Sequence, residues 1–303
     1  MSAVLGAVCT YRRPGELRAT LDAIDAQTRR PDRLVVIDND ADPAIAELVA
    51  AHPIGRSLPV ETIGARDNPG PAGAFALAFD QLCAVADDDD IMVIFDDDDP
   101  LPSTTVLADL IGIAEASFGN PAVGGVGLRG GALNHRTGIV NRRPSTTQGE
   151  TEGADHLHGG WFPCYRFSAL RMVGQFDPSF FWGFEELDLG RRLIAMGYEL
   201  RVTPELYSSV APNRPSARSP FSLPDRSWRH FYRHRNLLRI LRRDDAWGAV
   251  ALTISLRLVA KPLLCAFVRP RLAGWHLRTN LRAIVDGLRP TTPAPKNRHH
   301  LPG

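Results

Sequence analysis

The chain has 303 residues, of which 44% are hydrophobic and 23% charged, with a formal net charge of +1. Such a composition buries one large core or two modest ones and excludes a disordered or fibrous chain. Its four cysteines, Cys9, Cys83, Cys164 and Cys265, lie far apart without a CxxC pair, which argues against a zinc site or a disulfide framework and fits a reducing, cytosolic compartment.

Val4 to Thr10 reads as a short buried strand with no basic segment before it, so no signal peptide is expected. Pro14 to Gln27 follows as a helix, with Pro14 in its first turn and Leu17, Leu21 and Ile24 at helical spacing. Strand and helix then alternate: a strand over Arg33 to Ile37, a helix over Pro43 to Ala51, a strand near Val60 to Ile63, a helix over Ala72 to Val85 and a strand over Ile91 to Phe95. This order predicts a mostly parallel, doubly wound α/β sheet whose strand ends open onto one crevice. Asn120 to Gly160 is rich in glycine and polar residues; Gly124 to Gly131 is too flexible for a core helix, Pro144 to Gly153 is expected to be a mobile loop, and the segment suits a substrate lid. A short helix over Ser168 to Val173, a helix carrying Glu185, Glu186 and Asp188, and a strand over Tyr198 to Val202 come next. Beyond a loop at Pro212 to Pro224 the chain reads as helical, ending in a Pro-rich, disordered tail from Pro290.

The chemistry is concentrated at predicted strand ends. Asp96 to Asp99 follows the apolar strand Ile91 to Phe95, and four carboxylates so close repel one another unless a cation is near. Oxygen ligands without a His or Cys cluster favour Mg²⁺ or Mn²⁺, whose remaining positions phosphate oxygens can fill. Asp87 to Asp90, at the other end of that strand, reads as a solvated loop. Asp38-Asn39-Asp40 and Thr10-Tyr11-Arg12-Arg13 end two further strands. Tyr11 and Asp38 could hold a nucleoside, and Arg12 or Arg66 could face phosphate. Equally, Arg12 and Arg13 could be surface charges before a helix.

Five motifs in this order resemble the family 2 glycosyltransferases: Thr10 to Pro14, Asp38 to Asp40, Asn68-Pro69-Gly70-Pro71-Ala72-Gly73, Asp96-Asp97-Asp98, and Phe184-Glu185-Glu186-Leu187-Asp188. The resemblance covers roughly residues 4 to 240. Asn68 to Ala78 and Phe231 to Asn236 carry a closer likeness to actinobacterial galactofuranosyltransferases and rhamnosyltransferases of cell-wall assembly. It implies a GT-A fold, Rossmann-like and mostly parallel, with a C-terminal helical extension. The implied catalytic domain is 1–225, with a donor half at about 1–100 and an acceptor half at about 101–225; a basic, amphipathic extension covers 226–289 and a disordered tail 290–303.

The resemblance further implies that Thr10, Tyr11, Arg12, Asp38, Arg66, Asn68, Gly73, Asp96 and Asp97 bind a UDP- or dTDP-linked sugar, galactofuranose or rhamnose. Asp96 and Asp98 would hold Mn²⁺ or Mg²⁺. Glu186 would be the general base of an inverting displacement, with Glu185 as the alternative, because Glu stands where the family usually carries Asp. Many relatives complete the metal site with a His where this chain has Tyr207-Ser208-Ser209-Val210; His156 and His158 are candidate substitutes. Asp188 is a better candidate for helix capping or for pairing with Arg191 or Arg192. Gly160, Trp161 and Trp182 are acceptor candidates, since aromatic faces stack on sugars, whereas Phe167 and Phe180 suit the core.

From Arg226 onward 16 Lys/Arg face 3 Asp/Glu. Ala246 to Val268 is apolar, but Arg257, Lys261 and Pro262 interrupt it, and its longest uncharged run is too short to span a bilayer. It is expected either to lie on an anionic membrane surface, which would place the enzyme peripherally on the inner face of the plasma membrane beside a lipid-linked or envelope glycan acceptor, or to form a homo-oligomer interface. No nucleic-acid partner is expected, because the arginines sit among aliphatic runs without a binding motif. Two other functions fit less well: a non-catalytic carbohydrate- or membrane-binding module, and a sugar nucleotidyltransferase, which would need a Gly-rich triphosphate loop absent from Thr10 to Pro14.

Overall fold

Alternating side chains of the first strand point into two separate cores, and this divides the protein into layers. Val4 and Val8 join Leu17, Leu21 and Ile24 on one side, whereas Leu5, Ala7 and Cys9 join Phe75, Phe79 and Leu82 on the other. The same period of two recurs at Leu34 and Val36 against Val35 and Ile37, and at Ile91, Val93 and Phe95 against Met92 and Ile94. Strands buried on both faces read as continuous apolar runs, which explains why these three were legible.

The computed structural model describes residues 2–143, 152–210 and 227–290. Their strands are β1 (Val4–Thr10), β2 (Arg33–Asp38), β3 (Val60–Gly64), β4 (Ile91–Asp96), β5 (Val123–Gly127), β6 (Gly130–Asn134), β7 (Ile139–Arg143), β8 (Glu152–Ala154), β9 (His156–Leu157), β10 (Cys164–Arg166) and β11 (Glu199–Val202). Eight of them form one sheet in the order β3-β2-β1-β4-β10-β5-β11-β8, and β7-β6-β9 form a second. The large sheet is parallel from β3 to β4, and β10 then runs antiparallel between β4 and β5. The helices of this part are α1 (Pro14–Asp25), α2 (Pro43–Ala51), α3 (Gly70–Cys83), α4 (Val106–Phe118), α5 (Phe167–Val173), α6 (Glu185–Ala195) and α7 (Pro204–Val210).

Two sequence expectations fail here. Within the segment Asn120 to Gly160, expected to suit a lid, the flexible-looking stretch Gly124 to Gly131 is instead ordered into β5 and the start of β6, and β5 sits inside the large sheet. Its glycines serve closeness rather than mobility: a Cβ on Gly125 would lie 2.9 Å from Leu200, 3.0 Å from Tyr165 and 3.1 Å from Leu157. The second failure is Asp90, which is buried, not solvated; its Oδ1 accepts from the Ala3 amide at 2.8 Å and its Oδ2 from the Asp87 amide at 2.8 Å. Residues 144–151 of the expected mobile loop, the loop at Pro212 to Pro224 and most of the Pro-rich tail lie outside the described residues.

The contacts group the chain into two units, Met1–Asn134 with Ile139–Arg218, and His135–Gly138 with Ser219–Gly303. Within the second, α8 (Trp228–Arg243) packs on α11 (Pro270–Leu288). Between them in sequence runs one continuous helix over Trp247–Ala266, made of α9 (Trp247–Leu252), a π-helical stretch (Thr253–Ala260) and α10 (Lys261–Ala266). Contrary to the run-length expectation, this 20-residue helix is long and apolar enough to cross a membrane by length and composition alone. Asn280 ties it to α11, donating to the Leu258 carbonyl at 2.7 Å and accepting from the His230 ring at 2.7 Å.

Candidate active site

Adjacent strands β2, β1 and β4 end level with one another, Thr10 beside Asp38 and Cys9 beside Asp96, so the three acidic or polar strand ends meet at one sheet edge. Asp38 is buried and accepts from the Asp40 amide at 3.0 Å and the Asp42 amide at 2.6 Å, which shapes the loop leading to α2. Arg12 takes a positive φ of 55° and forms a two-point ion pair with Asp40 at 2.7 and 2.9 Å. Its guanidinium lies 5.0 Å from the centroid of the exposed Tyr11 ring. Arg12 is thus paired with Asp40 at the surface, and Arg66 is exposed.

The four consecutive aspartates do different work. Asp97 is buried, and accepts from the Thr10 hydroxyl at 2.8 Å and from Arg13 at 3.2 Å. Its backbone carbonyl accepts from Thr20 at 3.0 Å. Asp98 is exposed and pairs with Arg13. Asp96 and Asp99 turn toward Gly160, where an added Cβ would lie 3.1 Å from Asp96 Oδ2 and 2.9 Å from Asp99 Oδ2. Burial first, and then the neighbouring charges of Glu186, Asp98, Asp97 and Asp99, push the Asp96 carboxyl up to about 7. Burial likewise raises Asp97, against the lowering effect of the Thr10 hydroxyl and Arg13.

Across from β4, Phe181, Gly183 and Phe184 all take positive φ, at 58°, 80° and 67°. Two aromatic residues in the left-handed region are costly and cluster where a turn is over-determined by its surroundings. The turn delivers Glu185 and Glu186 to the first turn of α6. Glu186 is half-buried and its Oε1 accepts from the Gly159 amide at 3.3 Å. A Cβ on Gly159 would come within 2.7 Å of the same oxygen. Glu185 is buried, and its Oε2 has no hydrogen-bond partner. Burial, followed by the charge of Glu186, raises Glu185 well above the usual carboxylate range, and burial raises Glu186 despite its amide partners. The 3-10 turn Gly159–Trp161 therefore brings Asp96, Asp99 and Glu186 around one glycine pair.

The loop before α3 abuts the same turn. Gly70, at φ +70°, leaves room for the Phe181 carbonyl, which would lie 2.3 Å from a Cβ there, and the Ala72 amide donates to that carbonyl at 3.3 Å. Asn68 accepts from the Gly70 amide at 3.1 Å, and a Cβ on Gly73 would lie 2.4 Å from the Pro69 ring.

Other candidates are placed differently. Trp161 is 7% exposed and meets Tyr207 edge-on with ring centroids 5.0 Å apart. Its ring belongs to the core, so it offers no open face to a sugar. Trp182 is half-buried. His156 packs by β6, its ring 2.6 Å from where a Gly131 Cβ would be, and the His158 amide donates to Arg129. Among the described residues no group of three or more His, Cys, Asp or Glu side chains is arranged to hold a metal ion. Asp188 pairs with Arg192 at 2.9 Å. Sequence reasoning missed Arg13, Asp99 and Gly159; Arg13 and Asp99 stood within the quoted motifs, but only the fold shows which carboxylate each meets.

The family model described as Glycosyl transferase family 2 matches residues 7–172. Galactofuranosyltransferase GlfT1 of Mycobacterium tuberculosis (strain CDC 1551 / Oshkosh) is 35% identical over 207 residues, covering 64% of this chain and 65% of that protein. Its counterpart in Mycolicibacterium smegmatis is 34% identical over 207 residues, covering 64% of this chain and 66% of its own length. The chain thus spans slightly under two thirds of the curated relatives it matches. Among solved structures, a Pyrobaculum calidifontis mannosyltransferase in complex with GDP-Man and Mn²⁺ aligns with a TM-score of 0.52 at 18% identity, over 93% of this chain and 74% of that one. S. aureus TarS 1–349 in complex with UDP-GlcNAc aligns at 0.55 and 13% identity, over 95% of this chain and 82% of that one. These likenesses show the fold, which is GT-A.

Proposed function

We propose that this chain, which belongs to glycosyl transferase family 2, moves galactofuranose from a nucleoside diphosphate donor to a glycan acceptor with inversion at the anomeric carbon. The glycosyltransferase class follows from the family; the sugar, donor and direction of attack are our reading. Galactofuranose is preferred to rhamnose because the 35% identical relative is named a galactofuranosyltransferase. UDP is the first donor nucleotide to test and dTDP the second.

The observation that carries this reading is the convergence of Asp96, Asp99 and Glu186 on Gly159 and Gly160, with Thr10 and Asp38 at the neighbouring strand ends. Asp38 and the rim residue Tyr11 would take the nucleoside, and Asn68 and Gly73 would shape the loop beside it. Asp97 holds Thr10 and Arg13 in place by the bonds described above. The raised Asp96 carboxyl signals more negative charge than the site comfortably ionises, and a divalent cation is the ligand that fits such an all-oxygen set. Asp96, with Asp98 or Asp99, would hold Mn²⁺ or Mg²⁺. With no three-residue protein cage among the described residues, donor phosphates would complete its shell, as suits ions bound through one or two carboxylates. Bound there, the ion would neutralise charge on the departing diphosphate.

Glu186 is the better base of the two glutamates. It is the less buried, and the Gly159 amide fixes its Oε1 while the carboxylate stays able to take the acceptor hydroxyl's proton as the new bond forms. Its raised affinity for a proton strengthens it as a base. Glu185, buried beside it, is a positioning residue. The test is UDP release from UDP-galactofuranose with Mn²⁺, set against the rhamnose donor of dTDP. Turnover of the first alone supports the reading; turnover of the second alone overturns the sugar assignment, and turnover of neither overturns both.

A further inference from the structure

The helix over Trp247–Ala266 is inside out. Leu252, Leu256, Val259, Leu263 and Phe267 are all exposed and recur at steps of four, three, four and four residues, and Leu264 and Val268 beside them are exposed too, with Phe267 and Val268 at 91% and 82%. The exposed serine of the helix, Ser255, returns its hydroxyl to the Ala251 carbonyl at 2.7 Å and so does not need water. The two cations of the helix lie on the other side: Arg257 is half-buried and donates to the Gly138 carbonyl at 3.1 Å, and Lys261 is half-buried as well. A helix facing water shows the opposite polarity, and an apolar face running from Leu252 to Val268, roughly 20–25 Å at about 1.5 Å per residue, marks a surface that something covers.

The neighbouring helix indicates what covers it. On α11, which α10 packs against, Arg271, Arg278 and Arg282 are exposed, and Arg289 follows just past its end. Steps of seven and four residues put Arg271, Arg278 and Arg282 on one stripe of the helix. From Arg226 onward the chain has only three acids, Asp244, Asp245 and Asp286. The same C-terminal segment of a second copy, packed face to face, therefore offers this stripe little opposite charge, whereas anionic headgroups offer a continuous sheet of it. The inward Arg257 and Lys261 also argue against a helix surrounded by lipid.

We propose that the outward face of the Trp247–Val268 segment beds into the headgroup region of an anionic bilayer, with the arginine stripe of α11 on lipid phosphates. This surface is independent of the donor site, so it stands or falls separately from the reading above. The test is flotation of the full chain with phosphatidylglycerol/phosphatidylcholine vesicles and with phosphatidylcholine alone. Wild type is expected to float with the anionic vesicles. The double variant Leu264→Glu, Phe267→Glu, whose sites are exposed and whose folding circular dichroism would check, is expected to bind at least tenfold more weakly while still hydrolysing donor. Arg278→Glu with Arg282→Glu is expected to lose the preference for anionic lipid. The proposal is overturned if wild type stays with the unbound protein, or if the apolar double variant binds vesicles as wild type does. It is equally overturned if wild type is an oligomer that ignores vesicles and that the same double variant breaks into monomers, since the face would then be a protein interface.

Discussion

Removing the charge of Asp96 should make the metal-free protein more stable while destroying its use. A carboxyl whose folded-state pKa lies above its unfolded value favours the folded state only while protonated. Between 3.8 and about 7 the unfolded chain releases a proton that the folded chain keeps, so stability falls as pH rises through that window. Carried to full ionisation the shift corresponds to about 4 kcal/mol, of which roughly 2–3 kcal/mol develops between about pH 5 and pH 8. Asp96→Asn keeps the shape and removes the titration. In EDTA, urea unfolding of variant and wild type at the two pH values should therefore show the variant's relative stability rising by that amount toward pH 8. Manganese with UDP should close the gap for wild type and leave the variant unmoved. A stability difference that stays constant with pH, or shrinks toward pH 8, would refute the claim that the cluster is overcharged.

Other substitutions separate chemistry from architecture. Glu186→Gln should lower turnover by about 10²–10⁴-fold with nucleotide affinity unchanged, as expected for loss of a general base; comparing kcat with the Kd for UDP checks it. Gly160→Ala would press a methyl against Asp96 and Asp99, and should weaken metal-dependent UDP binding at least tenfold in calorimetry without lowering Tm by more than a few degrees. Asp90→Ala leaves the Ala3 and Asp87 amides without their carboxylate, and should cost about 1–3 kcal/mol in urea unfolding, with kcat of the folded fraction intact.

The central strands and the acidic strand ends were legible because both-face burial writes a continuous apolar run, and because an aspartate cluster directly after such a run has only one place to go. The glycines of β5 were misread because sequence does not distinguish a glycine that permits motion from one that permits contact; only Tyr165, Leu157 and Leu200 packed against Gly125 make that difference. β10 is three residues long and antiparallel, too short for any period to register. Asp90 and Trp161 were misplaced for a related reason. A carboxylate bonded to two amides and an indole locked against Tyr207 look the same in sequence as a solvated acid and a sugar platform. In the site, the glutamate pair and the preference for Glu186 were readable from the motif, but not that the Gly159 amide meets Glu186 while Glu185 is buried.

Calorimetric titration of UDP in Mn²⁺ and then in EDTA, on wild type, Asp96→Ala and Asp98→Ala, bears most directly on the donor site. Binding that needs the metal and is lost in Asp96→Ala is the predicted result, with Asp98→Ala deciding whether Asp98 leaves Arg13 to serve as the second ligand. UDP binding of equal strength in EDTA and in Asp96→Ala would contradict the assignment of these aspartates to a metal-held diphosphate.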